Sequence, residues 1–146
     1  MRGFFILGVV VALTGCASNP VKPLQQHELV TLKDVCVQTN EKVIVPAFES
    51  YIRDGFARHN IKAHFYKDSL PEMCDTKLTY TALRSWDMAT YLSVIKLDLY
   101  SNSGELLAKI DWEQNPLALN KWRNSEGKVF DAIDQLLGKN KINKNE

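Results

Sequence analysis

The sequence has almost no excess of either charge sign and contains no long apolar run. Its net charge is +1, so it lacks the basic surplus that neutralises nucleic-acid phosphates. The longest apolar run, residues 4–13, is about half of the roughly 20 residues that a membrane-spanning helix requires. Nucleic-acid binding and a transmembrane span are therefore both disfavoured.

Motifs of common catalytic sites are also absent from the sequence. It contains neither a Gly-x-Ser-x-Gly nucleophile elbow nor a glycine-rich phosphate loop. His59 and His64 have no third ligand nearby in sequence, so we expect solvated histidines rather than a zinc site. Asp111 and Glu113 have the spacing of an acid/base pair on one strand face, but solvated charges are the simpler interpretation. We therefore expect a protein that is not an enzyme and binds no metal or other cofactor.

Residues 1–16 have the features of a bacterial export signal. Arg2 precedes the apolar run, which ends in Leu13-Thr14-Gly15-Cys16. This tetrapeptide resembles the lipobox of bacterial lipoproteins. The resemblance implies that residues 1–15 are a signal peptide and that Cys16 carries a diacylglyceryl group and a further acyl chain such as palmitate. Two or three chains on one residue attach a protein stably, whereas one chain binds only marginally.

The residue after the cysteine bears on localisation. In Gram-negative lipoproteins an aspartate at this position causes retention in the inner membrane, and here the position is Ala17. The resemblance therefore implies a lipid anchor in the outer membrane and a domain in the periplasm. We assign residues 16–30 to the lipidated cysteine and an extended tether, residues 31–138 to one periplasmic domain, and residues 139–146 to a disordered tail.

The two remaining cysteines, Cys36 and Cys74, form an even pair in an exported chain. The oxidising periplasm allows such a pair to bond. Catalytic redox pairs are normally close in sequence as Cys-x-x-Cys, and this pair is not. We predict a structural Cys36–Cys74 disulfide, with two unbonded thiols as the alternative.

The spacing of apolar residues predicts an α+β domain with a mixed five-stranded sheet and two helices on one face. One helix is expected from Pro46 to a left-handed C-cap at Asn60, and another between an N-cap at Ser125 and a stop at Gly138. The predicted strands cover residues 32–38, 62–66, 77–85, 91–100 and 105–112. The first helix therefore lies between the first two strands, the second follows the last strand, and the last three strands form a meander.

Strand alternation assigns one sheet face to the helices and leaves the other face partly wet. The predicted core residues on the strands are Ala63, Phe65, Leu78, Tyr80, Ile95, Leu97, Leu99, Leu106, Ala108, Ile110 and Trp112. On the opposite face we predict an apolar interaction patch formed by Tyr66, Leu83, Leu92, Val94 and Tyr100. The N-terminal segment or residues 115–124 are alternative covers for this face.

Trp86 and Asp87 lie at the predicted turn between two strands. Trp86 is a further candidate for the interaction face, because a large aromatic residue beside an acid can form a binding corner. The interpretation that we favour is that Trp86 folds back over the edge of the core while Asp87 accepts hydrogen bonds from turn amides.

Two long stretches resemble a family of short proteobacterial lipoproteins that has no assigned activity. They are "KLTYTALRSWDMATYLSVIKLDLYSNSGELLAKIDW" and "LNKWRNSEGKVFDAIDQLL", with a Tyr-Thr-Ala, Trp-Asp, Tyr-Leu pattern and a terminal Ile-Asp-x-Leu-Leu helix. The resemblance spans nearly the whole mature chain but implies no functional residues. We expect a binding or accessory module for an envelope protein assembly. A lipid- or glycan-binding lipoprotein is the alternative, and an envelope hydrolase is the third possibility.

Overall fold

The central feature of the fold is a mixed five-stranded sheet, which a computed structural model describes within residues 21–139. Cys16, the predicted signal peptide at residues 1–15 and the predicted tail from residue 140 onward lie outside the described residues. The strands are β1 (Asp34–Gln38), β2 (Lys62–Tyr66), β3 (Thr76–Asp87), β4 (Ala89–Ser101) and β5 (Leu106–Glu113). The helices are α1 (Gln26–Thr31), α2 (Phe48–Ala57) and α3 (Ser125–Leu136). No helix within these described residues is long and apolar enough to cross a membrane.

The strand order in the sheet is β2-β1-β3-β4-β5. β1 is parallel to both of its neighbours, and α2 connects β1 to β2. β3, β4 and β5 form the antiparallel meander that the sequence predicts. The prediction of an α+β fold with a mixed five-stranded sheet is confirmed.

Helices α2 and α3 cover one face of the sheet, and local sequence sets where each helix ends. Asn60 has φ +59° and allows Ile61 N–H to donate to Phe56 C=O at 3.2 Å, which confirms the left-handed conformation predicted at Asn60. Helix α2 itself ends at Ala57, and its C-cap is Arg58. Gly138 has φ +68° after α3. The N-cap of α3 is Asn124 rather than the predicted Ser125.

Most predicted core residues lie between the sheet and these helices, but a β-bulge overturns the prediction for Leu92. Leu83 pairs with Val94, whereas the next residue, Arg84, pairs with Leu92. Ser93 is therefore an extra residue on β4 and reverses the alternation beyond it. Leu92 consequently points into the core and is 1% exposed, so its predicted place on the opposite face is wrong.

A second bulge changes the start of β5. Leu99 pairs with Ala108, but Tyr100 pairs with Leu106, which leaves Leu107 as the extra residue. Leu107 packs against the core, and Leu106, predicted to be in the core, turns to the opposite face with its partner Tyr100. A prediction from strict alternation does not locate such a bulge, because one inserted residue moves the side chains beyond it to the other face of the sheet.

The last part of the predicted tether packs against the domain. The backbones of Lys22 and Lys109 exchange two hydrogen bonds, with N···O distances of 2.8 and 2.7 Å, and Leu24 N–H donates to Leu136 C=O at 2.8 Å. Leu24 is 3% exposed, and α1 follows directly. The domain therefore begins before residue 31, and β1 starts at Asp34 because α1 occupies the preceding residues.

The predicted disulfide between Cys36 and Cys74 is present, with a Cα–Cα distance of 5.9 Å. Cys36 lies on the sheet face opposite the helices, because its neighbours Val35 and Val37 point into the core. Both cysteines are buried. The bond therefore fastens the segment before β3 to strand β1.

Candidate functional site

The sheet face opposite α2 and α3, here called the open face, is largely polar. Lys96 pairs with Asp111 at 3.3 Å and Lys109 pairs with Asp98 at 3.4 Å, in both cases across neighbouring strands. Such half-exposed pairs contribute little to stability, but they keep the surface hydrated. Asp111, one of the two carboxylates considered above as an acid/base pair, is held by a lysine.

The apolar residues predicted for the open face do not form one continuous patch. Leu83 and Val94 are direct cross-strand partners, and Leu83 is 53% exposed. Tyr100 lies six residues farther along β4, about 20 Å away at strand spacing, beside Lys77. Tyr66 lies on β2, and β1 and β3 separate it from β4. The structure therefore places these residues at three separate positions.

The two histidines considered as metal ligands each contact an aspartate. His59 Nε2 lies 2.6 Å from Asp134 Oδ1, and His64 Nε2 lies 2.7 Å from Asp34 Oδ1. Arg58 also pairs with Asp134 at 3.4 Å. In the part of the chain that the structure describes, no group of three or more His, Cys, Asp or Glu residues could hold a metal ion.

The hairpin between β3 and β4 ends in a tight turn that exposes two large apolar side chains. Asp87 pairs directly with Ala89, and Met88 between them has φ +59°, a conformation that costs a non-glycine residue about 1–2 kcal/mol. Met88 is 85% exposed and Trp86 is 76% exposed. The expectation that Trp86 folds over the core is wrong, because β3 continues to Asp87 and carries the ring beyond the core.

Lys121, in the loop between β5 and α3, joins that loop to the hairpin turn. Its ammonium group binds the Asp87 carboxylate and donates to Pro116 C=O at 2.6 Å. It also lies 4.7 Å from the centre of the Trp122 ring, and Trp122 Nε1–H donates to Asp87 C=O at 2.8 Å. Lys121 is only 6% exposed, and a buried charge requires such a partner. The turn and the loop are therefore held together as one unit.

This unit exposes five large apolar side chains, which we call the tip cluster. They are half of the ten large apolar residues that remain substantially exposed within the described residues. Concentrated apolar exposure is uncommon on soluble proteins and marks interaction surfaces. Of these five residues, only Trp86 is predicted from the sequence as an interaction residue, because the loop that carries Leu117, Leu119 and Trp122 meets the turn through long-range contacts of Lys121 and Trp122 with Asp87. The tip cluster consists of Trp86, Met88, Leu117, Leu119 and Trp122.

The outer edge of β2 is a second candidate surface. In the parallel ladder Lys62 N–H donates to Lys33 C=O at 2.9 Å, and Tyr66 C=O accepts from Thr39 N–H at 2.8 Å. Because alternate residues of a strand direct their backbone groups to opposite sides, Ala63 and Phe65 direct theirs away from β1. Within the described residues, no strand pairs with this edge.

A groove of about 550 Å³ runs beside this edge. Its walls come from the last turns of α2, the α2–β2 connection and the start of β2, with Arg53 and Ile61 among the lining residues. The Arg53 guanidinium lies 4.9 Å from the centre of the Phe65 ring. The groove is therefore adjacent to the free backbone groups of β2.

The tip cluster and the β2 edge lie at different ends of the sheet. Val37 of β1 pairs with both Phe65 and Leu78, so Phe65 is level with Leu78. From there β3 continues nine residues to Asp87, which is about 30 Å at strand spacing. No protein-family model and no curated protein matches the chain. The function is therefore inferred from the chemistry of these two surfaces.

Proposed function

We propose that this protein is an outer-membrane-anchored periplasmic lipoprotein that binds a protein of an envelope assembly along the edge of β2. The lipobox-like residues 13–16 and the following Ala17 support the anchor and its membrane. The Cys36–Cys74 disulfide agrees with an oxidising compartment. The free edge of β2 is the observation that carries the binding role.

An extended peptide segment is the partner structure that fits this edge. Ala63 and Phe65 each present one N–H and one C=O outward, and an added strand would pair with these groups. Main-chain pairing supplies affinity, while the groove beside α2 accepts the side chains of the added strand and supplies selectivity. Exposed edges invite non-specific pairing, and the short length of β2 limits that risk.

The lipid anchor contributes to binding by confinement. A module held at the membrane meets membrane-associated partners at a high effective concentration. A modest edge interaction is then sufficient for a lasting complex. The role assigned to the chain is therefore an accessory one, in which the anchor sets the place and β2 selects the partner.

The test uses in-cell photo-crosslinking from position 62, followed by mass spectrometry of the adducts. We expect one recurrent envelope protein, and we expect the adduct to disappear in Ala63→Pro, which removes the outward N–H while leaving the inward bonds of Lys62. Ala63→Ser keeps that N–H and is the matched control. Circular dichroism checks that both variants fold.

Two results would contradict the proposal. A protein adduct that persists at full yield in folded Ala63→Pro would show that β2 pairing is not the binding mode. Adducts to lipid or glycan alone would favour the ligand-binding lipoprotein. The anchor is tested separately by the mass of the mature N-terminus, which should include acyl chains and lose them in Cys16→Ser.

A further inference from the structure

We propose that the tip cluster inserts into the lipid surface of the membrane as a second contact beside the acyl anchor. The inference rests on the proposed anchor at Cys16, but it does not depend on a partner at β2.

The described chain enters the domain from the tip side. Lys22 pairs antiparallel with Lys109 of β5. Val21 therefore lies beside the part of β5 that follows Lys109 in sequence. β5 ends at Glu113, which pairs with Val94 next to Leu83. Beyond Leu83, β3 leads only to the turn that carries the tip cluster.

The length of the preceding chain limits how far the anchor can lie from the domain. Residues 16–22 span at most about 22 Å when fully extended. Lys109 is level with Thr79 through Asp98, and the eight residues from Thr79 to Asp87 cover about 27 Å at strand spacing. The chain from Cys16 to Lys22 is therefore shorter than the distance from the level of Lys22 to the turn. When the turn points toward the bilayer, an anchor at Cys16 keeps the tip cluster at the headgroups.

The exposed unit has the chemistry of a membrane-interface contact. Trp86 and Trp122 belong to the residue type that is enriched at the headgroup level, and the other three members are unbranched or aliphatic side chains suited to the acyl boundary. Lys121 and Asp87, the two charges that join the turn to the loop, are paired with each other. Insertion of the tip cluster therefore brings no unpaired charge from this pair into the lipid.

The backbone at Met88 supports the same interpretation. Its left-handed conformation is strained for a residue with a side chain, yet the side chain is 85% exposed. The strain therefore presents an apolar group outward instead of filling the core. The tight turn requires this conformation, and a glycine would satisfy the backbone without strain but would present no apolar side chain.

The test places the full lipidated chain in vesicles of phosphatidylethanolamine and phosphatidylglycerol whose acyl chains carry bromine, which quenches nearby tryptophan. The sequence has three tryptophans, so Trp112→Phe leaves only the two in the tip cluster. We expect at least about twofold quenching by bromine near the headgroups, the depth of interfacial insertion. Met88→Asn with Leu119→Asn should remove most of this quenching.

Val30→Asn is the matched control, because Val30 is 73% exposed but lies on α1, away from the turn. It should leave quenching unchanged. Absence of quenching in protein whose acylation is established by mass would overturn tip insertion while leaving the anchor intact. A photo-crosslinker at position 88 should capture phospholipid, and a protein adduct there would also overturn the inference. Absence of acylation would instead overturn the proposed anchor.

Discussion

At the scale of single residues, Tyr80 connects β3 to Asn40 and to Glu49 of α2. Its hydroxyl donates to Glu49 Oε1 at 2.8 Å and accepts from Asn40 N–H at 3.1 Å. Burial, followed by the Glu49 carboxylate, raises the pKa of Tyr80 to about 12, against an opposing contribution from Asn40. The side chain therefore remains a neutral donor well above the pH at which a free tyrosine ionises.

Tyr80→Phe tests this connection through the pH dependence of stability. At neutral pH we expect the variant to lose about 1–2 kcal/mol of unfolding free energy, because two hydrogen bonds to the hydroxyl disappear. The folded-state pKa is raised, so the contribution is fully present below pH 10 and declines as the pH rises toward 12. Urea titrations between pH 10 and 12 should show that the difference in unfolding free energy between wild type and variant becomes smaller. A difference that stays constant over this range would contradict the raised pKa of Tyr80.

At the scale of elements, α2 packs closely against α3 at Gly55. A side chain at this position would meet Ile133 and Phe130 of α3. One turn farther along, Arg58 and His59 both contact Asp134, so a polar cluster closes the same helix pair. The absence of a side chain at Gly55 therefore sets the distance between the two helices that cover the core.

Gly55→Leu should separate these helices. Overfilling a packed interface costs about 1–3 kcal/mol, and we expect a loss in that range in urea or thermal unfolding. Ser50→Leu introduces the same side chain at an exposed position of the same helix and should change the unfolding free energy by no more than about 0.5 kcal/mol. Equal losses in the two variants would show that the contact at Gly55 does not limit the packing.

The elements also show which features periodicity can predict. The sheet, its meander and α2 follow from apolar spacing and turn residues, because these signals are local. The faces of Leu92 and Leu106 do not follow, because each depends on one extra residue in a strand. Helix α1 depends on the burial of Leu24 against α3, and the tip cluster depends on Lys121 meeting Asp87. Both are contacts between distant parts of the chain.

At the scale of the whole molecule, the two proposed surfaces are compatible with one orientation. The tip cluster and the β2 edge are about 30 Å apart along the sheet. A domain that places its turn in the lipid surface therefore presents Ala63 and Phe65 away from that surface. In the same orientation Val21, the first described residue, lies on the membrane side of Lys22, the side on which the anchor is proposed.

The Cys36–Cys74 disulfide acts on the whole molecule because it closes a loop over a sequence separation of 38 residues. That loop contains α2 and β2, the two elements that form the groove and the free edge. On the chain-entropy model, a loop of this length stabilises the folded state by about 4 kcal/mol. Domains of this size have total stabilities of roughly 5–15 kcal/mol, so the bond is a major part of the total.

The double variant Cys36→Ala/Cys74→Ala should therefore lower the unfolding free energy of the full chain by about 4 kcal/mol in urea titrations. Dithiothreitol added to the wild type should have a similar effect, which separates loss of the bond from loss of sulfur packing. A decrease below about 1 kcal/mol in both experiments would show that the reduced chain is already restricted when unfolded. With the expected loss, α2 and β2 would be markedly less stable while the two thiols are reduced, so the groove and the binding edge would reach full stability only in an oxidising compartment.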